Sequence, residues 1–301
     1  MLEAVLRLLA RLTALVPCSW LRGPGAVLGF LAGSVLRIRR RHVTSAMRRA
    51  GVPDAERTAS AMYRHLGTSI FELLWLSGAS PRRRERVLDD YVILDEPTRA
   101  VLRSARARGA LVLGASHTGN WEIAAYATAR FLRREQARLK VVAKPLHVRG
   151  FHAFCSELRE RCGLSVVSPG GALREIQPAL REGDALAMLI DQVPDHERHA
   201  VALSFLGARA SADRAPASVA RVAQGTLVVT AVEREGARHR LRVLDVIDVP
   251  DRRRADARAM TERASSALDA FVRRRPADWL WLHRRWRTPD ATPLVPTEQP
   301  D

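Results

Sequence analysis

Residues 2–16 place Leu2, Val5, Leu6, Leu8, Leu9, Leu12, Leu15 and Val16 around a polar stripe of Glu3, Arg7 and Arg11. Charges that recur every fourth residue mark one face of an amphipathic helix, and Pro17 ends it. A second apolar run, Gly23 to Leu36, is short of the ~20 residues that cross a bilayer, and Arg37, Arg39, Arg40 and Arg41 follow at once. Two apolar helices beside a basic cluster suit an anchor lying on an anionic membrane surface. Packing of both helices on the protein core is the alternative. No signal-peptide layout is present.

Residues 54–78 carry apolar positions at helical spacing through Met62, Leu66, Ile70, Leu73 and Leu74, and Pro81 with Arg82 to Arg84 marks a break. From residue 96 the period alternates. Helices are expected at 97–108, 120–133, 151–162, 172–181 and 256–274. Strands are expected at 111–113, 139–143, 164–167, 185–190, 226–232 and 239–246, with a short one from Trp279 to Leu282. Strands alternating with helices through short connections imply an α/β fold, with a mixed, mostly parallel central sheet flanked by helices. The expected organisation is an N-terminal membrane-anchoring region over 1–50, a catalytic α/β domain over 51–290 and a loose tail rich in Pro and Thr over 291–301.

The charge changes this picture. The formal net charge is +17, and all but Lys140 and Lys144 of the basic residues are arginine. Such an excess suits an anionic partner: nucleic acid, anionic lipid or a phosphate-bearing substrate. No nucleic-acid reading motif accompanies it, and aromatic residues are only 5%, which argues against nucleic acid. Three cysteines, Cys18, Cys155 and Cys162, form no C-x-x-C pair, so neither a disulfide framework nor a structural zinc site is expected. His196 and His199 have a metal-like spacing but no third ligand nearby. No phosphate-binding glycine loop is present, and no cofactor is expected.

The chemistry concentrates in Leu111-Val-Leu-Gly-Ala-Ser-His117-Thr-Gly-Asn-Trp-Glu122. A buried strand ends there in a polar loop, and ligands of open α/β sheets bind at strand carboxyl ends. Asn120 reads as the cap of the next helix, which puts Glu122 in its first turn. A carboxylate on one imidazole nitrogen fixes the tautomer, and the other nitrogen then takes a hydroxyl proton. This expects His117 as general base and Glu122 as its orienting partner, with a substrate hydroxyl as nucleophile. Backbone N–H groups at the helix start would face the oxyanion. A membrane esterase is the competing reading because Ser116 adjoins His117, but Gly114-Ala-Ser116-His-Thr118 lacks the last glycine of a nucleophile elbow.

His117-Thr-Gly-Asn-Trp-Glu122 resembles the His-x4-Asp/Glu box of the lysophospholipid acyltransferase superfamily, and within it the lipid A lauroyl/myristoyl and phosphatidylinositol mannoside acyltransferases. Ala143-Lys144-Pro145, Arg159 and Ile190-Asp191-Gln192 fall in family order. So do Ser204-Phe-Leu-Gly207, which lacks the family's Pro, and Trp281-Leu-His283-Arg284-Arg285-Trp286. The resemblance runs from about residue 37 to 288. It implies His117 and Glu122 as catalytic residues, with Arg159, Asp191, Lys144 and Asn120 binding substrate. Read by themselves, Asp191 is equally a loop cap, and Arg159 and Lys144 are equally surface residues. His283, Arg284 and Arg285 read as closing the fold.

The implied reaction moves a fatty acyl chain from a thioester of acyl carrier protein or coenzyme A to a hydroxyl of a membrane glycolipid. A lipid A precursor is the expected acceptor, and a phosphatidylinositol mannoside, another glycolipid or a lysophospholipid is the alternative. The expected location is the cytoplasmic face of a bacterial inner membrane.

Overall fold

The computed structural model describes residues 2–144, 148–168, 172–194, 196–249, 251 and 253–286. The Pro145 of the expected basic-residue loop and the expected tail over 291–301 therefore lie outside the described residues.

A seven-stranded sheet forms the centre. In chain order its strands are β1 (Val92–Ile93), β2 (Leu111–Ala115), β3 (Leu139–Val142), β4 (Leu164–Val167), β5 (Ala185–Leu189), β8 (Thr226–Glu235) and β9 (Arg238–Asp248). Their spatial order is β1-β9-β8-β2-β5-β3-β4. Every neighbouring pair is parallel except the β8–β9 hairpin. The expected mixed, mostly parallel α/β architecture is thus what the chain builds.

Strand β2 lies between β5 and β8 and is apolar on both faces, as a strand covered by helices on both sides must be. Its residues divide between two cores: Val112 joins Met62, Val219 and Leu268 on one face, and Leu111 and Leu113 join Trp75, Leu102 and Ile123 on the other. The helices supplying these side chains are α4 (Ala55–Gly78), α6 (Glu96–Arg108), α7 (Trp121–Arg134), α10 (Ala215–Val222) and α11 (Ala257–Arg274). Helix α8 (Arg149–Arg161) connects β3 to β4, and α9 (Ala172–Arg181) connects β4 to β5.

The N-terminal part forms α1 (Leu2–Thr13), α2 (Arg22–Phe30), which runs on through a π turn to Val35, and α3 (Arg40–Arg49). Helices α1 and α2 pack on α4. The α2–α4 contact is backbone to backbone: a Cβ at Gly29 would lie 2.0 Å from the Tyr63 carbonyl oxygen, and one at Gly67 2.1 Å from that of Gly25. The Gly25-x3-Gly29-x3-Gly33 spacing is the sequence signal of that approach. The expected alternative, packing on the core, holds in part, since each helix buries one face and leaves the other open. Leu8, Leu12, Leu15, Trp20, Val27, Phe30 and Leu36 are exposed. Among the described residues no helix is long and apolar enough to cross a membrane.

Three expectations change. The break expected around Pro81 is confined to Ala79 and Ser80: α4 ends at Gly78, and Pro81 opens α5 (Pro81–Tyr91), a position where its missing N–H costs nothing. The sequence pattern placed no strand in residues 200–213, and there β6 (Ala200–Phe205) and β7 (Ala208–Asp213) form a hairpin apart from the main sheet. Its many alanines and serines blur the alternation that marks a strand. The expected strand at Trp279 to Leu282 is reduced to a single bridge, Thr118 to Trp279.

Candidate active site

The site follows from register. Strands β2 and β5 are adjacent and parallel, with Ala115 opposite Leu189. The Ile190 N–H donates to the Ala115 carbonyl at 2.9 Å, so the chains leave the sheet side by side. Two residues further on each strand stand His117 and Asp191. The Asp191 carboxylate is fully buried and accepts three N–H groups. His117 Nδ1–H reaches Oδ1 at 2.8 Å, the His117 backbone N–H reaches Oδ2 at 2.8 Å, and the Trp279 indole N–H reaches Oδ2 at 2.9 Å.

Burial by itself would raise the Asp191 carboxyl. The positive charge available to His117 and the three N–H donors outweigh that and hold it well below the usual carboxylate range. An ionised Asp191 requires a proton on His117 Nδ1, so in the neutral imidazole the lone pair is on Nε2. That nitrogen lies 3.3 Å from the Gln192 amide nitrogen, which donates to it. The imidazole is 7% exposed and is held between Trp121 and His283, whose rings are centred 4.9 and 4.6 Å away. Burial first, then the neighbouring His117 charge, push the His283 imidazole down to about 4, so it stays neutral at neutral pH.

The loop bearing His117 is clamped from behind. Leu280 donates its N–H to the His117 carbonyl at 2.9 Å, and Gly119 donates to the Asp278 carbonyl at 2.7 Å. Thr118 Oγ1 accepts the Val232 N–H at 2.7 Å. Gly119 has φ +53°, and a Cβ there would lie 2.8 Å from both Val232 Cγ1 and the Val232 carbonyl oxygen. Glycine is required on both counts. Arg285, buried behind Gln192, donates to the Gln192 carbonyl at 2.9 Å and to the Ser211 carbonyl at 2.6 Å. The C-terminal Trp-x-His-Arg-Arg segment thus closes the fold as expected for Arg285. The same C-terminal stretch sets Trp279 and His283 against Asp191 and His117, contacts that the sequence did not announce.

Two of the sequence assignments are revised. The partner of His117 Nδ1 is Asp191, not Glu122. Helix α7 starts at Trp121, and its first turn directs Glu122 toward α8. There Arg159 grips both Glu122 oxygens, through Nε at 3.0 Å and through its terminal nitrogen, and the Tyr126 hydroxyl donates at 3.0 Å. Burial would weaken the Arg159 charge, but the Glu122 pair raises its pKa above the usual arginine value. Arg159 is therefore a partner of Glu122 and not a free surface residue.

Asn120 does not offer its side chain to a substrate. It is 2% exposed, its Oδ1 caps α7 by accepting the Ile123 N–H at 3.3 Å, and its amide donates to Glu72 Oε2 at 2.8 Å. Glu72 also meets His239 Nε2 at 2.9 Å and Arg234 at 3.3 Å. A lone acid in the apolar run Ile70-Phe-Glu72-Leu-Leu is the signal by which sequence reasoning could have found this network. Lys144 stands exposed two residues beyond β3, at the same end of the sheet as His117.

An α/β sheet with an oriented imidazole at its carboxyl edge, one nitrogen tied to a buried carboxylate and the other carrying a lone pair, can take a proton and return it. The family model for bacterial lipid A biosynthesis acyltransferases matches residues 4–288, and the chain belongs to that family. It is an acyltransferase. No curated protein matches the chain in sequence.

Proposed function

We propose that the protein transfers a fatty acyl chain from a thioester of acyl carrier protein or coenzyme A to a hydroxyl of a lipid A precursor-like glycolipid, with His117 as general base. The observation that carries this reading is the Asp191–His117 pair, which leaves the imidazole with a lone pair on Nε2. Nε2 removes the acceptor hydroxyl proton as the oxygen attacks the thioester carbonyl. The tetrahedral oxyanion collapses, the carbon–sulfur bond breaks, and the imidazolium returns its proton to the departing thiolate. Asp191 stabilises the imidazolium between these steps. N–H groups in the first turn of α7 are suited to the oxyanion.

Ser116 does not serve as a nucleophile in this scheme. It is 2% exposed, and its hydroxyl is bonded inward to Thr118 at 3.0 Å and to the Thr230 carbonyl at 3.3 Å. That speaks for direct transfer and against an esterase with a serine acyl-enzyme.

The test is transfer of labelled acyl chain from each thioester donor to a lipid A precursor by wild-type protein and by His117→Ala. A loss on the order of 10²–10⁴-fold with unchanged melting temperature is expected. A folded His117→Ala protein with the wild-type rate would end the mechanism.

The open apolar faces of α1 and α2, followed by Arg37, Arg39 and Arg41, support attachment to the cytoplasmic surface of a bacterial inner membrane. Leu8→Glu with Leu12→Glu changes residues that are 57% and 52% exposed, so the fold is expected to survive while sedimentation with anionic vesicles falls sharply. High salt is expected to weaken wild-type binding by screening the arginines. Binding indifferent to both would refute the attachment.

A further inference from the structure

A concave, basic cavity of about 800 Å³ lies between α3 and the C-terminal segment, lined by Arg41, His42, Ser45, Ala46, Arg49, Arg284 and Trp286. Arg41, Ser45 and Arg49 recur every fourth residue, so they occupy one face of α3. The cavity has three guanidinium groups and no acidic residue in its lining. The nearest acids in sequence are engaged elsewhere: Asp54 caps α4 by accepting the Arg57 N–H at 3.1 Å, and Glu56 is taken by Arg40 and Arg48 at 2.9 and 2.7 Å.

Elsewhere many arginines are neutralised within the protein: Arg103 by Glu96 and Glu135, Arg263 by Asp245, Arg240 by Asp95 and Glu235. Among the described residues no carboxylate pairs with Arg41, Arg49 or Arg284. Like charges gathered in one concavity repel each other, and a bound anion relieves that cost.

The cavity also has a rigid wall. The Arg49 guanidinium is stacked on the Trp286 ring, 4.5 Å from its centroid, which leaves the edge of its planar fork free to donate to an anion. The wall is joined to the catalytic histidine. His42 Nε2–H donates to the His283 carbonyl at 3.3 Å, Arg39 donates to the Leu282 carbonyl at 2.9 Å, and the His283 ring packs on that of His117. A ligand held by the arginines thus lies a few residues from the reacting centre.

We propose that this cavity binds a phosphate ester carried by one of the two substrates, and so positions that substrate for transfer at His117. The inference rests on the acyl-transfer reading above. Two sources share the chemistry: the phosphates of a phosphopantetheine-type thioester donor, and a phosphate on the sugar of the glycolipid acceptor. Planar guanidinium groups grip phosphate oxygens two at a time, and Ser45 adds a hydroxyl donor.

The test uses the full chain and calorimetric titration with four soluble probes: coenzyme A, pantetheine, glucosamine 1-phosphate and glucosamine. Wild-type protein is expected to bind one of the phosphorylated probes and not its phosphate-free counterpart. Coenzyme A binding assigns the cavity to the donor, and glucosamine 1-phosphate binding assigns it to the acceptor. Arg41→Ala with Arg49→Ala is expected to weaken that binding by about tenfold per arginine lost. Arg41→Lys with Arg49→Lys keeps the charge and removes the fork, so an intermediate loss is expected, and equal melting temperatures exclude misfolding.

Phosphate-dependent binding that the double alanine variant retains would overturn the proposal, as would absence of such binding in the wild type. So would a variant whose only defect is weaker sedimentation with phosphatidylglycerol vesicles, since the cavity would then be a bilayer contact. His117→Ala separates the two readings. Phosphate binding that needs the arginines, alongside full transfer by His117→Ala, would sink the mechanism and leave the cavity standing. Loss of transfer in His117→Ala with arginine-independent binding would do the reverse.

Discussion

Among the described residues, Asp191 and Glu72 are buried carboxylates that each meet a buried histidine, and their surroundings differ in one respect. Asp191 and Glu72 are 0% and 1% exposed. Asp191 answers the His117 imidazole at the carboxyl ends of β2 and β5, where the sheet stops and a substrate can approach. Glu72 answers His239 beneath α4, where β8 and β9 pair Arg234 with His239. His117 turns a nitrogen with a lone pair toward Gln192 and the edge of the sheet. His239 is 0% exposed, and its Nδ1 is buried with no hydrogen-bond partner among the described residues. A buried carboxylate on a histidine is therefore a statement about burial. Whether it can catalyse depends on where the second ring nitrogen points.

The two networks are still connected. Glu72 holds the Asn120 amide, and Asn120 caps the helix that follows the His117 loop. The Glu72 cluster supports the site from beneath, while the Asp191 cluster operates at its surface.

The comparison breaks most sharply at the carboxylates and their rings. Asp191→Asn keeps the shape but lets the amide donate to Nδ1, which moves the imidazole proton to Nε2 and removes the lone pair. Transfer is expected to fall by up to roughly 10⁴-fold in the thioester assay. His239→Ala is expected to keep the wild-type rate per folded molecule and to lose stability on the order of 3–5 kcal/mol, because it strips a partner from a buried charge. Equal rates in wild type and Asp191→Asn, or a rate loss in His239→Ala without a stability loss, would reverse the assignment.

The next effect is a pH dependence. Burial would raise Glu72, but His239, Arg234 and Asn120 outweigh it and hold the carboxyl at about 2 against an ordinary value of 4.5. The folded state favours the ionised form. The stabilisation is therefore complete above about pH 4.5 and is lost as pH falls through 2. Glu72→Gln is expected to be less stable near neutrality by on the order of 3 kcal/mol. Its deficit should shrink as pH falls from 4.5 toward 2, measured by urea unfolding. A deficit constant across that range would show that Glu72 is not ionised in the fold.

The smallest effect is expected at Glu122, which acts through Arg159 and not on the imidazole. Glu122→Gln loosens the α7–α8 clasp, and a rate loss of about tenfold is expected from misplacement of the loop. Glu122→Asp is expected to lose less. If Glu122→Gln instead matched His117→Ala in its rate loss, the orienting role expected from the sequence would be restored to Glu122.

Much of this was legible along the chain. Period 3.6 and period 2 segments announced most helices, though not α3, α5 or α10, and every main-sheet strand but β1, and the polar loop after an apolar strand located His117. Asp191 also stood out as an acid at a strand end, while its pairing with His117 did not. Glu122 is five residues from His117 and Asp191 is 74 residues away, so local spacing favoured the wrong carboxylate. The hairpin over 200–213 was hidden by alanine and serine, which belong to no one period.

By itself the amino-acid order determined the alternation of strands and helices, the apolar faces of α1 and α2, the arginine excess and the loop that carries His117. Each of these depends on side chains that are neighbours in sequence or lie one turn apart. The pairing of Asp191 with His117, the approach of Trp279 and His283, the Glu72 cluster and the convergence of Arg41, Arg49 and Arg284 were decided only by the tertiary structure. Strand register and strand order bring those groups together, and both are set by hydrogen bonding and packing across the whole sheet.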